Sequence, residues 1–223
     1  MQPLSFAQPT ALVLIDNQVA FNHPTHWGPA RSNASFETNM GALLGAFRSA
    51  RQRSPPGLIH IIHIFHSSIE TGSALHPNAN SLQPFDFAAP AADGSEPVMW
   101  KCVNSSFIGT NLEAYLRQND VRQVFFAGLT TDHCVSTTTR MARNLGVVDI
   151  FPEGKRVTVN ADGSHPENTN IDLGRVVLVA DATATFAKGG IDAETIHAVS
   201  VASLEGEFAD VFATQDVVDA LAG

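Results

Sequence analysis

The sequence predicts an α/β fold: a three-layer α/β/α sandwich on a mostly parallel, doubly wound central sheet. Two observations predict it. Unbroken apolar runs alternate with helically spaced segments, and chemically active side chains stand where those runs end. Residues 11–16 form the first run, apolar up to its closing Asp16, as suits a strand covered on both faces. Phe36, Met40, Leu43, Leu44 and Phe47 then recur at helical spacing, and Pro55-Pro56-Gly57 stops that helix. Residues 58–65 are a second strand. Residues 67–97 are rich in Pro, Ala, Asn and Ser, and so long a connection in a compact domain serves as a lid, a site wall or an oligomer arm.

Thr110 and Glu113 stand at capping-box spacing before a helix with an apolar stripe of Leu112, Tyr115 and Leu116. Residues 121–127 are the third strand. A helix from near Asp132 buries Val135, Thr138, Ala142 and Leu145 and ends at Gly146. Residues 148–174, full of Gly, Asn, Asp and Pro, read as an insertion that forms a surface hairpin or flap. Residues 175–180 make a strand, with Asp181 closing it and capping a turn. Residues 192–205 make a helix, 210–213 a short last strand and 215–221 a terminal helix. No internal repeat interrupts this order, which predicts one domain over residues 1–223.

Composition narrows the function classes. The chain has 223 residues, 44% of them hydrophobic, and a net charge of −9 from 13 basic and 22 acidic residues. With no basic cluster, neither nucleic acid nor an anionic membrane is an expected partner. Two cysteines, Cys102 and Cys134, make no disulfide framework, and no targeting segment opens the chain, so a cytoplasmic location is expected. The sequons at Asn33 and Asn104 are read as fortuitous.

Cys134 is the most informative residue. It follows the apolar run of the third strand and stands where a helix begins. There, unpaired backbone N–H groups and the helix dipole favour a thiolate and can stabilise an oxyanion. Asp16 closes the first strand, and Lys101 follows the short apolar approach Val98-Met99-Trp100. In a doubly wound sheet the three converge beyond the strand ends. There a carboxylate accepts the thiol proton and an ammonium holds the resulting charge. Each has a plainer reading: a buried small cysteine, a turn-capping aspartate, a solvated lysine. Cys102 reads as core. His63 and His66 alternate with apolar neighbours and suit hydrogen-bonded structural roles, with His66 also a candidate at the site edge. His133, beside Cys134, would point away from it on a helix.

Four segments in order resemble the isochorismatase-like cysteine hydrolases, which include nicotinamidases, N-carbamoylsarcosine amidohydrolase and ureidoacrylate or biuret-type amidohydrolases. The first is Leu14-Ile15-Asp16-Asn17-Gln18, and the second runs from Lys101 to Phe107. The third runs from Gly128 to Val135 and the fourth from Asp181 to Phe186. The resemblance implies an Asp16–Lys101–Cys134 triad and a cis peptide between Leu129 and Thr130. It also implies an oxyanion hole from the backbone N–H groups of Thr130 and Cys134. Gln18, Phe21, Trp27, His66 and Phe107 are candidate substrate contacts, the aromatic three being equally readable as core. The stretch from His63 to Ser68 departs from the Asp-Trp-His-Pro pattern of metal-dependent nicotinamidases, so no metal or other cofactor is expected.

Retention of Cys134 favours hydrolysis of the C–N bond of a small amide or ureide through a thioester. Two alternatives stand beside it: isochorismate-type vinyl ether hydrolysis with Asp16 as acid, and a catalytically idle binding protein. A small-molecule amide is the expected partner. A homo-oligomer, dimer or tetramer, is expected from the terminal helix and the two long excursions.

Overall fold

The computed structural model describes residues 2–165 and 170–223. Six strands form one all-parallel sheet: β1 (Thr10–Ile15), β2 (Ile59–His66), β3 (Val98–Lys101), β4 (Gln123–Leu129), β5 (Arg175–Ala184) and β6 (Asp210–Phe212). Their spatial order is β3-β2-β1-β4-β5-β6, so the winding reverses between β1 and β4. In such sheets ligands bind beyond the carboxyl ends of the strands at that reversal. Five helices complete the fold: α1 (Phe36–Arg53), α2 (Leu112–Gln118), α3 (Ser136–Leu145), α4 (Ala193–Ala202) and α5 (Thr214–Ala222).

Strand β1 explains the two-sided core. All six of its residues are buried. Because successive side chains alternate, Leu12 and Leu14 enter one apolar cluster while Ala11, Val13 and Ile15 enter the other. The first cluster includes Phe36, Met40, Leu43, Leu44 and Phe47 of α1 and Val217 and Leu221 of α5. The second takes Leu112 and Leu116 of α2 and Ala142 of α3. Two helical layers therefore clamp the sheet, as the continuous apolar strands require. Among the described residues, no helix is long and apolar enough to cross a membrane.

Several local expectations need correction. Helix α2 starts at Leu112, and its N-cap Asn111 makes no side-chain cap. The Thr110 hydroxyl accepts from Leu112 N–H but donates back to Ser106 O, and Glu113 pairs with Arg117 and Arg156 instead of closing a capping box. Strand β5 runs past Asp181 to Ala184, with a register shift against β4 between Phe126 and Gly128. Asp181 lies within it and caps α5, accepting from Thr214 N–H and hydroxyl at 2.7 Å each. Cys134 sits within a π-helical turn, Thr131–Val135, that leads into α3. Gly146 ends α3 in the left-handed region at φ 53. An antiparallel bridge between Ile150 and Asp172 closes the base of the 148–174 excursion. Residues 166–169 of that expected hairpin or flap lie outside the described residues.

Candidate active site

The carboxyl ends of β1, β3 and β4 bring Asp16, Lys101 and Cys134 together. Asp16 follows β1 in the left-handed region, φ 52, an unfavourable backbone for a residue other than glycine and one held here by its surroundings. Its N–H donates to Ile64 O at 2.8 Å, fastening it to β2. Beside it, Gly128 of β4 has φ +128, and a Cβ there would stand 2.0 Å from Ile15 O. Only glycine lets the two strand ends approach this closely.

Lys101 is placed two strands from β1, opposite His66 in the β2–β3 register. Its stem spans that gap, and Nζ donates to Asp16 Oδ2 at 2.6 Å and approaches Cys134 Sγ at 3.3 Å. Nζ also lies 3.1 Å from His66 Nδ1. An ammonium has only donors, so this Nδ1 accepts and Nε2 carries the ring proton. Burial and the Lys101 charge lower the His66 pKa and keep the imidazole neutral.

Asp16, His66 and Cys134 offer ligand atoms within 4.8 Å of one another, a spacing that could suit a metal ion. The Lys101 ammonium contacts all three residues, at 2.6 Å from Asp16, 3.1 Å from His66 and 3.3 Å from Cys134.

Cys134 is 7% exposed and Asp16 0%, with Lys101 at 3%. Burial and the Asp16 charge push the Cys134 thiol up, and the Lys101 ammonium only partly opposes them. This differs from the thiolate expected at a helix start. Lys101 is already paired with a carboxylate, so a second anion has no cation of its own. Cys134 Sγ also lies 3.7 Å from Asn104 Oδ1. Among the described residues, Asp16 Oδ1 is buried without a hydrogen-bond partner.

The Leu129–Thr130 peptide bond is cis. The following turn is held from outside by Thr131 Oγ1, 2.8 Å from His197 Nδ1 on α4, and by Asp132, which accepts from Lys188 Nζ at 2.6 Å and from the Thr185 hydroxyl. His197 Nε2 meets Asn33 Nδ2 at 3.3 Å, and burial lowers the His197 pKa. On the far side of Lys101, Glu96 locks the approach to β3. It receives two bonds from Arg48 at 2.7 Å, one from His63 at 2.9 Å and one from Ala91 N–H. Burial works against the Glu96 carboxylate, but these donors outweigh it and hold its pKa far below the usual range.

Above the three groups opens a cavity of about 550 Å³. Cys134, Thr130 and His66 line it, and Phe21 and Trp27 stack in its wall with centroids 4.4 Å apart. Gln18 and Phe107 fall elsewhere. The Gln18 side chain is buried and spent on backbone, donating to His66 O and Leu82 O and accepting from His66 N–H. Phe107 packs on the core cluster beside α2 and α3 and is not among the residues lining the cavity. Cys102, expected in the core, is exposed and lines the cavity. His133 is exposed, as a surface residue beside Cys134 was expected to be, and it lines the cavity too. His63 is structural, buried against Glu96. The 67–97 connection, expected as a lid, a site wall or an oligomer arm, supplies Ser68, Ile69, Glu70, Ser73 and Leu75 to the cavity wall, while sequence reasoning did not single out His26 or Asn104 as cavity residues.

The Isochorismatase domain family matches residues 10–216. This chain belongs to the isochorismatase family. An uncharacterised isochorismatase-family protein of Bacillus subtilis, YrdC, is 34% identical, with 94% of each chain covered. An isochorismatase-family structure from Chromobacterium violaceum is 32% identical with a TM-score of 0.76, covering 100% of this chain and 98% of that one. A cysteine hydrolase from Pseudomonas syringae shares the fold at 20% identity and a TM-score of 0.73, over 100% and 96% of the two chains. The isochorismatase family is one of hydrolases, and the cavity over Cys134 is the place in this member to look for that chemistry.

Proposed function

We propose that the protein is a cysteine-dependent amidohydrolase that cleaves the C–N bond of a small amide or ureide, with Asp16, Lys101 and Cys134 as its catalytic residues. One observation carries the reading: a thiol, an ammonium and a carboxylate in continuous contact beneath a cavity large enough for a small flat substrate. The raised thiol pKa means that deprotonation accompanies attack instead of preceding it. Asp16 takes the Cys134 proton as Sγ bonds to the substrate carbonyl carbon. The backbone N–H groups of Thr130 and Cys134 receive the oxyanion, an interaction typically worth about 10²–10³-fold per donor. As the C–N bond breaks, Asp16 returns the proton to the leaving nitrogen, which departs as ammonia or an amine. Water then gives its proton to Asp16 and adds to the thioester, and Sγ leaves and is reprotonated. Such proton transfer contributes typically about 10²–10⁴-fold. Lys101 offsets the negative charge that Asp16 and Sγ would otherwise share.

The test is ammonia release from a panel of small amides and ureides, with mass spectrometry of the quenched enzyme. A mass adduct on wild type that is missing in Cys134→Ala, together with loss of turnover, is the expected result. Undiminished ammonia release by Cys134→Ala would remove the covalent route, and vinyl ether hydrolysis that survives in Cys134→Ala would select acid chemistry at Asp16 instead.

A further inference from the structure

We propose that the cavity selects amides whose distal end is positively charged and rejects anionic ones, with Glu70 as the specificity-determining residue. This rests on the amidohydrolase reading for turnover but not for binding. Among the described residues lining the cavity there is no lysine or arginine, and Glu70 is the one carboxylate. Lys101 lies beneath the cavity and is committed to Asp16. A substrate carboxylate would therefore find no free cation, while a substrate ammonium would find a free anion.

The Glu70 backbone is fixed. Its N–H donates to Ser68 Oγ at 3.1 Å and its carbonyl accepts from Ser73 N–H at 3.0 Å, while Ser68 N–H donates to Leu75 O at 2.9 Å. This turn forms the wall that also presents Ser68, Ile69, Ser73 and Leu75. Among the described residues the Glu70 carboxylate has no hydrogen-bond or ion-pair partner, unlike Glu37, Glu96 and Glu113, which pair with arginines. The same cavity has the Phe21–Trp27 stack in its wall, with the His26 ring edge-on to Trp27 at 4.5 Å. Aromatic faces attract cations through the ring quadrupole, and indole is the strongest of them. A carboxylate and an aromatic stack in one cavity make a receptor for an ammonium-bearing group, and the chain's net charge of −9 acts in the same direction.

The experiment uses three aromatic primary amides that differ only in a distal aminomethyl, methyl or carboxylate group. It is run at pH 8, where ordinary imidazoles are neutral. Wild type, Glu70→Gln and Glu70→Lys are compared by kcat/KM for ammonia release. Binding of the same compounds to Cys134→Ser is measured by calorimetry. The expected order is aminomethyl, methyl, carboxylate, with roughly tenfold between the extremes. That is the scale of one partly exposed ion pair together with a cation–π contact. Glu70→Gln narrows the ratio and Glu70→Lys reverses it. Equal binding of the three, preference for the carboxylate, or an order unmoved in Glu70→Lys overturns the proposal. Ordered binding with no ammonia released from any compound supports this inference and counts against the amidohydrolase reading instead.

Discussion

Lys101 Nζ stands 2.6 Å from Asp16 Oδ2, and both side chains are wholly removed from solvent. Two charges at that depth stabilise the fold only as a pair, because an unpartnered buried ion carries the full desolvation penalty. Lys101→Met leaves Asp16 alone and is expected to destabilise the protein by about 3–5 kcal/mol in urea unfolding. Adding Asp16→Asn restores most of that loss without restoring hydrolysis. A single Lys101→Met variant as stable as wild type would show that the pair does not bear on stability.

Burial and the same carboxylate raise the Cys134 thiol, which gives an asymmetric expectation for labelling. In wild type at pH 7 a mild alkylator reacts first with exposed Cys102 and slowly with Cys134. Asp16→Asn removes the repelling charge and frees Lys101 for the thiolate, so Cys134 labels faster while turnover collapses for want of a proton carrier. Peptide mapping of the labelled enzyme reads both sites. Slower labelling of Cys134 in Asp16→Asn would contradict this account.

Gly128→Ala places a methyl group against the Ile15 carbonyl, where the gap is 2.0 Å. Strands β1 and β4 must part, and Asp16 moves with the end of β1. The expected loss exceeds the roughly 1–3 kcal/mol typical of overpacking, since backbone yields less readily than a side chain. Turnover falls further than stability alone accounts for. Thermal unfolding and steady-state rates of the purified variant check both parts, and wild-type values for both would rule out the close approach.

Stability is expected to fall on both sides of neutrality. Burial lowers His60, His66 and His197 below their ordinary 6.5, so the unfolded chain takes up protons that the folded chain refuses as pH drops through that value. Glu96 is depressed from 4.5, so the stability it contributes is present above that pH and is lost as acid approaches its folded value. Cys134 is raised from 9.0, so unfolding becomes easier above pH 9.0, where only the unfolded thiol ionises freely. Melting temperatures from pH 4 to 10 should trace this dome, and His60→Gln should flatten its shoulder between pH 7 and pH 5. An unchanged shoulder would remove His60 from the explanation.

Much of the frame was legible because fully buried parallel strands write themselves as apolar runs, as β1, β2 and β4 do. Strand β3 was visible only as an approach to Lys101. It is four residues long at the sheet edge, with Val98 and Trp100 exposed, and carries little pattern. The meeting of Asp16, Lys101 and Cys134 could be argued from strand ends, since the winding reversal lies between β1 and β4. The wall of the cavity could not. Glu70 and Ser73 line it through turns made by local side-chain-to-backbone bonds, which leave no periodicity to read. The thiol's protonation was misjudged for a related reason. A helix terminus is visible in a sequence, whereas the depth of burial that chiefly raises the thiol, with the Asp16 charge beside it, belongs to the assembled fold.

The 148–174 excursion leaves the end of α3 and enters the sheet at the amino rim, where β5 begins. There Arg122, just before β4, donates to Val148 O at 3.0 Å and pairs with Asp172. The thiol lies at the opposite rim, the full length of a strand away. Within this chain, therefore, the base of the excursion and the thiol occupy opposite rims of one scaffold, and trimming or grafting at that base is expected to leave the reacting atoms undisturbed.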